Sequence, residues 1–235
     1  MGFYFTLLPA MDKPSPTPRA IVFDAYGTLF DVHSVVAACE ALFPGEGRAL
    51  SQLWRTKQLE YSWLRSLMGR YVDFNVVTQD ALQYACASLR LEWSEATSTT
   101  LNDAYRRLSL FDDTRATLEQ LRARQPSRKL AILSNGAPDM LNAVVTHNGL
   151  MFDLVLSAFD AGVFKPDPAV YRLACQRLDL PPAEIAFVSS NGWDAAGAKA
   201  FGFTTYWINR TGAPGEALGL TPDRQLATLS ELLAL

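Results

Sequence analysis

The chain has 235 residues, enough for one large domain or a domain carrying an insertion at roughly 100–200 residues per domain. Apolar residues make up 49% and charged residues 19%, so a sizeable core forms and extensive disorder is excluded. A formal net charge of −3 with scattered Lys and Arg argues against nucleic acid as a partner. An anionic ligand then has to be held by a few local cations or N–H groups.

The first 18 residues read as a flexible leader. Gly2–Pro9 is apolar but short and has no positive charge before it, which makes a poor signal peptide. Three prolines follow at 14, 16 and 18. Met1-Gly2 with Thr6 fits the loose myristoylation pattern, which is too short to stand out from chance. No apolar run approaches the roughly 20 residues of a membrane span, so no membrane partner is expected.

Ala20–Phe23 reads as a buried strand, and residues 31–111 then look helical throughout. Within Leu50–Met68, the residues Leu53, Trp54, Lys57, Tyr61, Leu64 and Met68 share one face at 3.6 spacing. Arg55 and Leu59 lie on the other side, alongside Ser62 and Ser66. Ala81, Leu82, Ala85, Cys86 and Leu89 form a second stripe, and Leu101, Tyr105 and Leu108 a third. The segment is read as a helical cap inserted between strands one and two.

After it, the strands Leu130–Leu133, Leu154–Leu156, Ile185–Val188 and Thr204–Ile208 alternate with helical patterns over 137–148, 168–178 and 194–201. That alternation predicts an α/β domain with a parallel sheet covered on both faces. The expected division is a leader over 1–18, a core domain over 19–30 and 112–235, and a cap over 31–111. Cys39, Cys86 and Cys175 are far apart with no CxxC spacing, which points away from zinc and disulfides and toward a reducing compartment. His33 and His147 are too few for a His-based metal cluster.

Four strand ends carry chemistry-bearing residues. Asp24 follows the first strand in Phe23-Asp-Ala-Tyr-Gly-Thr-Leu29, and ligands of open parallel sheets bind at the carboxyl ends of strands. An Asx turn that merely ends the strand is the competing reading. Ser134-Asn135-Gly136 closes the second strand. Lys165-Pro166-Asp167-Pro168 precedes a helix, with Asp167 as N-cap and Pro168 at its first position. Ser189-Ser190-Asn191-Gly192-Trp193-Asp194 closes the fourth strand and leads into Gly197-Ala198.

Taken in this order, the motifs resemble those of the haloacid dehalogenase superfamily over nearly the whole chain after the leader. Phosphatases of that superfamily carry a second Asp two residues after the nucleophile, where this chain has Tyr26. Their loop after strand four supplies carboxylates to Mg²⁺, whereas here Ser189-Ser190-Asn191 leaves Asp194 as its only acid. These departures, with Asp31-Val-His-Ser34, Leu53-Trp-Arg55, Lys57-Gln-Leu-Glu-Tyr61 and Trp193-Asp194, are similar to the L-2-haloacid dehalogenases. The change suits the chemistry, because halide leaving carbon needs neither a divalent metal nor a proton donor.

The resemblance implies a doubly wound sheet of order 3-2-1-4-5 under a helical cap, no cofactor, no metal, and a homodimer joined through cap helices; the leader and the cysteines point to a cytoplasmic location. It implies hydrolysis of short L-2-halocarboxylates to D-2-hydroxy acids and halide through an ester on Asp24. Lys165 would keep Asp24 ionised. Asp194 would position or deprotonate the hydrolytic water with Asn191 orienting it; the competing reading is an N-cap of the following helix, and both roles can coexist. Ser134, Thr28 and loop N–H groups such as that of Ala25 would hold the substrate carboxylate or Asp24. Ser189 would join the lysine network, and Tyr171 would reach the site with its hydroxyl or else pack in the core. Arg55 would receive the halide with help from Asn135. Leu59, Tyr26, Phe74 and Trp193 would form the apolar wall. Thr56 stands where close relatives often carry Gln. The alternatives are a Mg²⁺-dependent phosphatase or phosphonatase of the same superfamily, and a non-catalytic binding protein.

Overall fold

The computed structural model describes residues 18–235; the rest of the leader lies outside the described residues. Six parallel strands form one sheet of order β3-β2-β1-β4-β5-β6. They are β1 (Ala20–Phe23), β2 (Lys129–Ser134), β3 (Leu154–Ser157), β4 (Ile185–Ser189), β5 (Thr204–Ile208) and β6 (Arg224–Leu226). The predicted order holds for the first five. The sixth, Arg-Gln-Leu, was not predicted, because three residues with a single apolar side chain carry no alternation to detect.

The central strand β1 pairs with β2 on one side and β4 on the other, so Val22 lies level with both Ala131 and Phe187. All four of its side chains are buried, as expected of a strand covered on both faces. This register brings the carboxyl ends of β2, β1 and β4 side by side.

Between β1 and β2 the chain is almost wholly helical: α1 (Val36–Leu42), α2 (Gly47–Leu67), α3 (Phe74–Ser88), α4 (Glu95–Tyr105) and α5 (Thr114–Arg124). Leu108, placed in the third helical stripe, lies beyond the end of α4 yet is still buried. After β2 the helices α6 (Pro138–His147), α7 (Pro168–Leu178) and α8 (Gly192–Phe201) alternate with the strands.

The buried face of α2 differs from the one its periodicity suggested. Leu50, Ser51, Trp54, Gln58 and Ser62 point into the cap, while Leu64 and Met68 are exposed and Leu53, Lys57 and Tyr61 are half-buried. Trp54 and Gln58 occupy the buried face with partners for their polar atoms. Trp54 Nε1 donates to Thr78 O at 2.8 Å, Gln58 Nε2 donates to Thr78 Oγ1 at 3.2 Å, and Tyr105 Oη donates to Gln58 Oε1 at 3.2 Å.

Candidate active site

Asp24 is the first residue past β1, and its N–H still bonds to Val188 O on β4 at 2.9 Å. The chain then turns tightly, with the N–H groups of Thr28, Leu29 and Phe30 all directed at Ala25 O. The turn swings the Thr28 hydroxyl back onto Asp24 Oδ2 at 2.9 Å. Asn191 Nδ2, from the end of β4, donates to the same oxygen at 2.9 Å and to Tyr26 O at 3.3 Å. Asn191 therefore holds Asp24 directly.

Lys165 is the hub. Its side chain is 1% exposed, with Nζ 3.1 Å from Asp24 Oδ1 and 3.0 Å from Asp194 Oδ2. Both halves of its loop are fastened. The Lys165 N–H donates to Asn135 Oδ1 at 2.8 Å, and the Phe164 N–H donates to Ser66 Oγ of the cap at 2.9 Å. Asp167 caps α7 as predicted, accepting from Ala169 N at 2.8 Å.

Asp194 is fully buried, and both of its oxygens are engaged. Oδ1 accepts from Tyr171 Oη at 2.8 Å, and Oδ2 accepts from Ser189 Oγ and Lys165 Nζ, both at 3.0 Å. The N-cap position of α8 is Asn191; Asp194 sits in the first turn, which corrects its reading as a cap. The hydroxyl of Tyr171 and the ring that carries it are buried, so reaching the site and packing the core are one arrangement.

Burial pushes the Asp194 carboxyl up to about 6; Lys165 opposes this, and the nearby charge of Asp24 adds to it. Burial works against the Lys165 ammonium too, but Asp194 and Asp24 outweigh it and its pKa is raised. Burial, then the charge of Asp194, raises Tyr171 well above the ordinary phenol range, so it stays a donor.

A divalent metal does not fit this donor set. The ammonium of Lys165 bridges the two carboxylates, where a cation would have to sit. The remaining neighbours, Ser189, Asn191 and Thr28, are neutral and point their donors at the carboxylates.

Helix α2 brings two further side chains to the site. Arg55 Nη2 reaches over to Tyr26 O at 3.4 Å, and Arg55 and Leu59 line a cavity of about 380 Å³ shared with Asn191. Tyr26 is buried; its ring lies against Gly136, where any Cβ would come within 2.5 Å of Cε2. Burial raises its phenol far above the ordinary range, in keeping with a wall residue. Phe74 packs edge-on against Phe164, next to Lys165, and Trp193 packs edge-on against Trp63 of the cap at 5.2 Å. Ser134 Oγ accepts from Gly136 N at 3.1 Å, which leaves its proton for another partner. Ala25 is fully buried under this turn.

Several contributors were not singled out in the sequence. Ser190 donates its N–H to Thr28 Oγ1 at 2.9 Å and thereby aims that hydroxyl at Asp24. Gly197 admits Tyr171, since a Cβ there would lie 2.6 Å from its Oη. Arg106 and Asn75 of the cap grip Asp139 of α6 at 2.6 and 2.8 Å, tying cap to core. Ser190 and Gly197 fell inside quoted motifs without a role of their own, whereas Asn75, Arg106 and Asp139 left no trace in the sequence.

The chain matches the haloacid dehalogenase-like hydrolase family over residues 18–202. The chain belongs to that family. It is 53% identical over 219 residues to an (S)-2-haloacid dehalogenase of Pseudomonas sp. (strain YL), covering 92% of this chain and 94% of the relative. A crystal structure of an L-2-haloacid dehalogenase superposes with a TM-score of 0.89 at 49% identity, covering 93% of this chain and 98% of that one. The Xanthobacter autotrophicus L-2-haloacid dehalogenase with chloropropionic acid covalently bound superposes with a TM-score of 0.87 at 44% identity, covering 93% and 98%. In this site the Ser189-Ser190-Asn191 loop is uncharged, so Asp24 and Asp194 are the carboxylates present, and Lys165 bridges them.

Proposed function

We propose that this chain is a hydrolytic dehalogenase that converts short (S)-2-halocarboxylates to (R)-2-hydroxy acids, with Asp24 as covalent nucleophile and no metal. The carrying observation is the Asp24–Lys165–Asp194 cluster, in which an ammonium takes the place that a divalent ion would occupy beside the nucleophile. Against the phosphatase alternative stand Tyr26, where a second Asp would protonate the leaving group, and the Ser189-Ser190-Asn191 loop, which brings no carboxylate to hold a metal that would screen a phosphate dianion.

The two oxygens of Asp24 have different work. Among the described residues, Oδ2 takes two donors, from Thr28 and Asn191, whereas Oδ1 takes only Lys165 Nζ. Oδ1 retains a lone pair and attacks C2 in line. The C–halogen bond breaks with its electron pair on the halide, which leaves toward Arg55 with Asn135 Nδ2 beside it. Ser134 Oγ and the loop N–H groups at Ala25 hold the substrate carboxylate. Water then adds to Cγ of the ester. The negative charge gathers on Oδ2, where the Thr28 hydroxyl and Asn191 amide already point. Collapse breaks the Cγ–Oδ1 bond with its electron pair on the original Oδ1, which takes up the proton that Asp194 removed from the water and departs as the hydroxyl of the hydroxy acid; the second water proton is released as Asp24 regains its charge. Asp194, ionised above about pH 6, is the base for the water proton. Ser189 and Tyr171 hold it in place.

A single turnover in H₂¹⁸O with enzyme in excess tests the covalent route. Unlabelled 2-hydroxy acid and one heavy oxygen at Asp24 are expected. Labelled hydroxy acid with an unlabelled Asp24 peptide would instead mean direct attack by water.

We also infer a cytoplasmic homodimer. Cys39, Cys86 and Cys175 are free thiols, in keeping with a reducing compartment. No helix among the described residues is long and apolar enough to cross a membrane. For the dimer, the supporting feature is the uncovered side of α2, where Leu64 is 43% and Met68 63% exposed, next to Tyr84 of α3 at 43%.

A further inference from the structure

Arg210 lies just beyond β5, and the residue before it fixes its place. Asn209 is buried, and its amide closes a turn on Ala213, donating from Nδ2 to Ala213 O at 2.8 Å and accepting from Ala213 N at 2.9 Å. The guanidinium that this turn presents meets Asp113 with both Nη atoms, at 2.8 and 3.0 Å, and lies over the face of Phe111 at 4.2 Å. Asp113 and Phe111 belong to the return of the chain from the helical cap to the core. Burial works against the Asp113 carboxylate, but Arg210 and the Leu229 N–H, 2.7 Å away, outweigh it and hold its pKa below the usual range. Arg210 Nη2 also donates to Thr28 O at 3.4 Å, on the outgoing passage. One side chain therefore ties together both crossings between core and cap. Thr28 is held at three points: its N–H by Ala25 O at 3.2 Å, its carbonyl by Arg210, and its Oγ1 by the Ser190 N–H at 2.9 Å. A β-branched side chain has few rotamers, so fixing the Thr28 backbone fixes where its hydroxyl points.

Resting on the dehalogenase reading, we propose that Arg210 is a positioning residue for ester hydrolysis, keeping the Thr28 hydroxyl aimed at Asp24 Oδ2. Charge gathers on Oδ2 when water adds to Cγ, whereas the first attack is made by Oδ1, which Lys165 holds. Loss of Arg210 therefore slows the second step more than the first. Arg210 also lines the cavity of about 380 Å³ that it shares with Arg55 and Asn191. It does not serve there as a second cation for the substrate carboxylate. Asp113 balances its charge at 2.8 Å, so an anion in the cavity meets an ion pair with little net attraction.

The test is a single turnover of (S)-2-chloropropionate with enzyme in excess and at saturating concentration. Two first-order constants are read: halide release, and loss of the Asp24 ester, followed by intact mass in acid-quenched samples. Misfolded enzyme lowers the amplitudes and leaves both constants alone, so a stability defect does not imitate the result. Arg210→Met removes the guanidinium. Arg210→Lys keeps a charge for Asp113 but lacks the planar fork that spans Asp113 and Thr28. In the Met variant, ester loss is expected to slow by at least about tenfold and halide release by less than about threefold, so that ester accumulates. The Lys variant should shift the ratio of the two constants in the same direction, and it decides alone if the Met variant does not fold. Unchanged constants overturn the proposal, as do equal slowing of both or a greater slowing of halide release. Weaker saturation with both constants kept also overturns it, by making Arg210 a substrate-binding cation. All of these results leave the dehalogenase reading standing, whereas a native protein that releases no halide overturns that reading itself.

Discussion

Replacing Lys165 by Met keeps the length of the side chain and removes the charge that Asp24 and Asp194 share. Each carboxylate lies 3.0–3.1 Å from Nζ. At an effective dielectric of about 20, one such pair is worth about 4 kcal/mol, in line with the roughly 3–5 kcal/mol lost when a buried pair is broken. At about 1.4 kcal/mol per pKa unit, the Asp194 carboxyl, now pushed up to about 6, rises toward about 9. Two effects follow. Turnover at neutral pH falls by at least about a hundredfold, and the acid limb of kcat moves up from near 6 by two units or more. Stability responds with a definite sign. A carboxyl whose folded pKa lies above its unfolded value of 3.8 binds protons more readily in the native state. Its contribution is present at low pH and is lost as pH rises through the folded pKa. In the native protein that loss is over soon above pH 6, whereas in the variant it continues to about 9. Between pH 5 and pH 8 the variant should therefore lose about 3 kcal/mol more stability than the native protein, roughly 6–12 °C in Tm for a chain of this size, on top of the loss from the broken Lys165–Asp24 pair. Halide release from pH 5 to 10 and thermal melts at pH 5 and 8 read both effects. An acid limb still near 6, with equal melts at pH 8, would refute the assignment of Lys165 as the shared counter-ion.

Arg55→Ala should lower kcat by about 10²–10³ while shifting stability by no more than about 0.5 kcal/mol, since its only hydrogen bond among the described residues is a 3.4 Å contact to Tyr26 O. A large fall in Tm with activity preserved would make Arg55 structural. Gly197→Ala places a Cβ 2.6 Å from Tyr171 Oη and 2.7 Å from Pro166 Cβ, so it should cost about 1–3 kcal/mol and displace the phenol from Asp194. Tyr171→Phe is the paired control: it should lose activity with a much smaller change in melting temperature, and wild-type turnover by either variant counts against the Tyr171–Asp194 link. Leu64→Glu with Met68→Glu should convert a dimer to a monomer in light scattering, and an unchanged mass would place any subunit contact elsewhere.

Much of the site was legible in the linear chain because strand ends announce themselves. Short β-branched runs, each followed at once by small or polar residues, place Asp24, Ser134, Asn135, Ser189 and Asn191 on adjacent strands once the sheet is parallel. Local chemistry was equally readable at Asp167, where an Asp before Pro168 starts a helix. What sequence reasoning could not reach depends on contacts between distant residues. The periodicity of α2 pointed to the Leu53–Met68 stripe as the buried one, yet Gln58 and Ser62 went inside. Hydropathy counts transfer from water, and it cannot know that Thr78 and Tyr105 will be there to receive a buried amide. Edge strand β6 was invisible because a three-residue strand is held by pairing with β5, not by its own pattern. The decisive geometry is of the same kind. Lys165 is 141 residues from Asp24 and 29 from Asp194 along the chain, and only the packed sheet brings one ammonium between both carboxylates. Residue types and their order along the chain determined which groups were available; the tertiary fold alone decided which of them share a charge.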